Sequence, residues 1–195
     1  MKTAHASGFT KAAATSPRVR LQRMAGWLRV LVAAGTVGLV GATVWIFWSD
    51  SRLLEALAGE LRVAATPALG SGLPPGAKAA LFALGAPSIG LGLFMLFQAW
   101  RLFGAYGRGQ VFGAAAIGAI RKLAWALLGT ALLRPATATA SVLYLTWNNP
   151  PGQRQLVLAI AWEDYLCALF GSLLVAIAWA MTEAGRIERD NAGFV

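Results

Sequence analysis

The sequence predicts an all-α fold, an integral membrane four-helix bundle with short amphipathic connecting helices, and three observations carry that expectation. Of 195 residues, 57% are hydrophobic and 13% charged, and the mean hydropathy is +0.60, which leaves too little polar side chain to cover a water-facing surface. The apolar residues gather into four stretches, each long enough to cross a hydrocarbon core of about 30 Å. The eight tryptophans fall near the ends of those stretches, where an amphipathic ring prefers the headgroup level. The same composition excludes intrinsic disorder, and a single cysteine excludes an internally disulfide-stapled fold.

In chain order, residues 1–24 form a basic tail with Lys2, Lys11, Arg18, Arg20 and Arg23. Span one, 25–48, carries Arg29 as its one charge. It is too long for the core of a cleavable signal, and Trp45, Ile46, Phe47 and Trp48 stand where a peptidase needs small residues, so it is read as a permanent anchor. Ala34, Gly38 and Ala42 repeat at four-residue spacing and predict a face on which a neighbouring helix packs closely. Asp50 or Ser51 then caps a short helix with Leu53, Leu54, Leu57 and Leu61 on one side. Pro67, Pro74, Pro75 and neighbouring glycines break regular structure before span two, 79–100, in which Pro87 predicts a kink.

The segment from Arg101 to Lys122 reads as a loop on the membrane surface. Gly104, Gly107 and Gly109 imply a turn, and Gly113 to Lys122 resumes a helical pattern. A dinucleotide cradle is excluded because its glycines need a preceding strand and a βαβ unit. Span three is 123–147, the sequence Asn148 to Arg154 is a tight turn, and span four is 156–182. The remaining 183–195 form a charged, helical-pattern tail.

Four crossings put both termini on one side. Basic residues choose which, because lysine and arginine resist translocation. The two tails and the 101–122 loop hold Arg101, Arg108, Arg121, Lys122, Arg186 and Arg189 besides those of the first tail, whereas the opposite side has Arg52, Arg62, Lys78 and Arg154. Both termini are therefore expected in the cytoplasm. The formal charge of +9 fits this topology and the attraction of anionic lipid, making the lipid bilayer the first partner. Direct nucleic-acid binding is not expected, since the basic residues are dispersed without a reader motif.

Arg134 is the residue hardest to assign to packing, because it falls about 18 Å from Lys122 along span three and is therefore expected near mid-membrane. Thr130, Arg134, Thr137 and Ser141 share one helical face and form a polar stripe. Glu163 or Asp164 of span four is the counter-ion available to it. One reading is an internal polar site; the other is structural, with the arginine and hydroxyls serving the backbone around Pro135. Glu163 and Asp164 also read as the outer end of span four, beside Trp162. Cys167 and His5 lack metal-ligand company. Ser88 and Ser141 have no histidine base within their spans. No cofactor is expected, and neither is an enzyme.

The segment Leu102-Phe103, Tyr106, Gly109, Val111-Phe112, then Ile120-Arg121-Lys122-Leu123 and Trp125, resembles the signature of a bacterial family of four-pass membrane proteins, domain of unknown function 2975. The ending Glu183 to Asn191, closing on Gly193-Phe194-Val195, and the Asn149-Pro150-Pro151-Gly152 turn are similar to that family as well. Members commonly carry an acid where this chain has Gln110, and a serine or threonine cap where it has Gly113. The resemblance implies a bacterial inner-membrane location and supplies no reaction. By association with neighbouring genes it suggests a small helix-turn-helix regulator as partner.

Two functions follow as expectations. One is a non-enzymatic regulatory or interaction protein that presents Tyr106, Arg108, Gly109, Gln110 and Phe112 to a cytosolic partner. The alternative is a small transporter or channel component, a homo-oligomer, that uses the Arg134 stripe.

Overall fold

The computed structural model describes residues 17–48, 76–110, 112–147, 156, 158 and 160–192. Those residues form four helices: α1 (Pro17–Trp48), α2 (Ala77–Gly107), α3 (Ala114–Thr146) and α4 (Trp162–Ala192). All four are long and apolar enough to cross a membrane. The chain is a multi-pass membrane protein, with four such helices among its described residues. Its eight tryptophans are all well exposed on the protein surface. In a bilayer that surface is lipid or headgroup, so the exposure of apolar rings carries no aqueous penalty. The short helix expected after Asp50 and the turn at 148–154 lie outside the described residues.

Packing runs between neighbours in sequence: α1 on α2, α2 on α3 and α3 on α4, while α1 and α4 share at most a marginal contact among the described residues. The register follows from side chains that meet across each seam. On α1 and α2, Ala25 lies against Gly107, Gly35 faces Leu96, Leu39 faces Gly92, and Phe47 meets Phe82 edge to face at 4.9 Å. Leu91 faces Gly129 between α2 and α3, and Leu128 covers Gly171 between α3 and α4. Successive helices are thus antiparallel, and α1 begins at the same end of the molecule at which α4 finishes.

The seam of α1 differs from the one expected. Ala25 and Val32 are buried against α2, and Thr36 and Leu39 continue that face. Ala34 and Ala42 are exposed, and a methyl group added at Gly38 would meet open space. Small residues at four-residue spacing permit a close crossing without requiring one. Here the neighbouring face, about 100° around the helix, is the one covered.

Two other boundaries differ. The segment expected as a loop over 101–122 contracts to the turn Arg108–Gly113, because α2 continues to Gly107 and α3 starts at Ala114. Span four, placed at 156–182 from hydropathy, becomes helical at Trp162; Leu156, Leu158 and Ile160 precede the helix and are exposed. An apolar run is equally compatible with extended and helical backbone, and the helix begins where a capping acid is available.

Candidate functional site

Asp164 is the carboxylate on which one end of the α3–α4 seam is organised. Ala161 is the residue before α4, and Asp164 stands in the third position of the helix. From there its Oδ2 accepts the Ala161 N–H at 2.9 Å. This is the returning half of a capping box, with aspartate in place of the usual glutamate. The helix dipole favours a negative charge at the same place. The other oxygen, Oδ1, lies 3.4 Å from Nη1 of Arg134 on α3. The contact is an ion pair without hydrogen-bond geometry, since Oδ1 is buried and accepts no hydrogen bond from the protein.

The two partners are unequal in exposure, 5% for the aspartate side chain against 45% for the arginine. Solvent therefore screens the arginine side, and the pair as such contributes on the order of 1 kcal/mol. Removing one partner is another matter, because it strands a buried carboxylate or leaves a cation beside lipid.

The helix register also sets the level of the pair. Five positions past Gly129, Arg134 stands beside about residue 86 of α2, and through the Gly92–Leu39 contact it is level with about Trp45 of α1. The stretch of α1 from Trp27 to Trp45 is about 27 Å long, close to a full hydrocarbon thickness. Arg134 thus sits at the edge of the apolar layer of α1 and not at its middle. Beyond the pair α3 runs on for about 18 Å to Thr146, past the end of α1.

The rest of the stripe faces its own backbone. The Thr130 hydroxyl donates to the Ala126 carbonyl at 2.9 Å, Thr137 to Arg134 at 3.0 Å and Ser141 to Thr137 at 2.8 Å. Donors spent this way need no partner from another helix. Glu163 is exposed and takes no part in the pair. Of the residues singled out in the sequence, the fold brings together Arg134 and Asp164, and leaves Thr130, Thr137, Ser141 and Glu163 outside their contact.

At the opposite end, where α1 begins and α4 finishes, the turn between α2 and α3 is a Schellman motif. The Gln110 N–H reaches the Ala105 carbonyl at 3.0 Å and the Gly109 N–H reaches Tyr106 at 2.9 Å. Gly109 takes φ +75°, a left-handed conformation in which a Cβ is penalised. Arg108 caps the helix, Gln110 is exposed, and Phe112 is 71% exposed. Tyr106 is half-buried in the last turn of α2. The other two glycines of the run differ from Gly109 and from each other. Gly107 lies against Ala25 at a distance that a Cβ would tolerate, whereas Gly104 makes room for two guanidinium groups.

Those groups are Arg29 and Arg108. Their Nη2 and Nη1 atoms lie 2.5 and 3.6 Å from the point a Cβ on Gly104 would occupy. The guanidinium carbon of Arg29 also lies 4.9 Å from the centre of the Trp100 ring, a cation–π distance. Arg29 lies on the α1 seam between buried Ala25 and Val32. Sequence reasoning did not single it out as a site residue. Two signals were available: it is the one charge of span one, and it falls in helical step with Val32 on the covered face.

A family model described as "Protein of unknown function (DUF2975)" matches residues 19–193. No curated protein and no solved structure matches the chain.

Proposed function

The chain belongs to the DUF2975 family of proteins of unknown function, and from that premise we propose that it is a non-enzymatic interaction or regulatory protein of the bacterial inner membrane. Both termini are cytoplasmic in this reading. Its support is the gathering of Arg23, Arg29, Arg101, Arg108, Arg121, Lys122 and Arg186 toward the end that carries the termini, against Lys78 and Arg134 elsewhere among the described residues. Basic residues at membrane edges favour the cytoplasmic side.

The observation that carries the reading is the turn between α2 and α3. A capped turn holds its backbone in one conformation, so little ordering entropy is lost when a partner docks. It exposes Phe112 and Gln110 at its apex, while the Arg108 guanidinium is drawn back toward Gly104. An exposed aromatic on a pre-formed turn suits a small cytosolic protein, for which a helix-turn-helix regulator is our candidate.

The transporter alternative is less well supported. Arg134 is neutralised by Asp164, and the hydroxyls of its stripe bond along their own helix.

The test is co-purification in mild detergent of the wild type and a Phe112→Ser, Gln110→Glu variant, each with the candidate regulator. We expect the regulator to co-elute with the wild type and to be lost from the variant. Equal recovery, or recovery from neither, would remove the reading. Flux into liposomes that vanishes in Arg134→Leu would favour the alternative.

A further inference from the structure

We propose that Arg29 and Arg108 bind a phosphate group over Gly104, at the edge of the α1–α2 seam nearest the termini. Two guanidinium groups occupy one small space there, with Trp100 as its wall. Like charges placed together are unfavourable until an anion enters between them. Among the described residues neither arginine forms an ion pair with a carboxylate; the pairs there are Arg134 with Asp164 and Arg186 with Glu183. The Nε of Arg29 is buried and donates to no protein group. A planar fork of unused donors matches the oxygens of a phosphate in a way a lysine cannot.

Gly104 is the residue that permits this. A Cβ at that position would stand 2.5 Å from Nη2 of Arg29 and would displace the guanidinium from its present place. The space a side chain would fill at buried Gly104 is taken by the two guanidinium groups. Arg101 lies exposed one turn earlier on the same face of α2 as Gly104 and Arg108, and adds to the positive field.

The level of the site fits a membrane surface. The register places Gly104 level with Trp27 of α1, at the edge of the apolar layer, and Trp100, 40% exposed, stands about one turn inside it. The phosphate of an anionic phospholipid lies at that height, and a free phosphate ion offers the same oxygens from the aqueous side. Two arms separate these sources.

In the first arm, full-length protein is incubated with equal amounts of phosphatidylglycerol and phosphatidylcholine, and retained lipid is counted by native mass spectrometry. In the second, thermal unfolding is followed in inorganic phosphate against chloride at matched ionic strength. Arg29→Gln with Arg108→Gln should lower phosphatidylglycerol retention about tenfold, as loss of charge-assisted bonds implies. Arg23→Gln with Arg121→Gln, which removes equal charge at the same end, should leave it unchanged. Stabilisation by phosphate that the double variant lacks would identify free anion as the source. Arg29→Lys with Arg108→Lys keeps the charge and loses the fork, and should forfeit most of the preference even where the glutamine pair does not fold. The proposal is overturned if the wild type shows no preference in either arm. Equal losses in the two glutamine pairs, or full retention by the lysine pair, would overturn it too.

Discussion

The carboxylate of Asp164 stands 3.4 Å from the guanidinium of Arg134 while holding the Ala161 N–H at 2.9 Å with its other oxygen. One side chain thereby joins the start of α4 to the flank of α3. Its two tasks can be separated by substitution.

Asp164→Asn keeps an oxygen for the Ala161 N–H and loses the ion pair, whereas Asp164→Ala loses both. We expect the alanine variant to be less stable by about 2 to 3 kcal/mol and the asparagine variant by about half of that. Combining Asp164→Asn with Arg134→Met should cost less than the sum of the two single changes, with a coupling of about 1 kcal/mol. Reversible unfolding in detergent micelles supplies all the values. Strict additivity would show that the pair contributes nothing.

Gly171 and Gly38 make an informative contrast. A Cβ at Gly171 would stand 2.9 Å from Leu128 Cγ and 3.1 Å from the Ala124 carbonyl oxygen, whereas at Gly38 it would meet nothing within 4 Å. Gly171→Ala should therefore destabilise by about 1 to 3 kcal/mol, as overpacking does. Gly38→Ala should leave stability unchanged or raise it by up to about 1 kcal/mol through helix propensity. Unfolding midpoints of the two variants decide the matter, and the reverse order would contradict the helix register.

Gly109 holds the turn between α2 and α3 at φ +75°. Gly109→Ala should cost about 1 to 2 kcal/mol, and limited proteolysis should cut the variant faster at this turn than the wild type. Unchanged cleavage would mean that the turn tolerates the strain.

Gln98 is 2% exposed, and its buried Oε1 accepts no hydrogen bond from the protein. A Gln98→Leu substitution keeps most of the volume and removes that carbonyl. It should be neutral or stabilising by about 1 kcal/mol. A loss of more than that, measured by thermal unfolding, would assign Gln98 a polar partner.

The four membrane-length helices among the described residues and their apolar character were legible in the sequence, because crossing a bilayer demands long uninterrupted apolar runs and leaves little freedom in composition. The acid available to Arg134 was also legible as a choice between Glu163 and Asp164. Other features depended on rotation and register, which hydropathy does not contain. Ala34, Gly38 and Ala42 resemble a packing face as closely as the face actually used, and only the neighbouring helix selects between them. The level of Arg134 depends on the stagger of α3 against α1, transmitted through Leu91 and Gly92. Arg29 and Arg108 are far apart in the chain and meet only because α2 folds back along α1 over a residue without a side chain. Sequence determined that this chain crosses lipid through long apolar helices; tertiary structure decided which faces meet and which charges become neighbours. The physical reason is that burial in a membrane is governed by composition along a segment, whereas contact is governed by the angle and offset between segments.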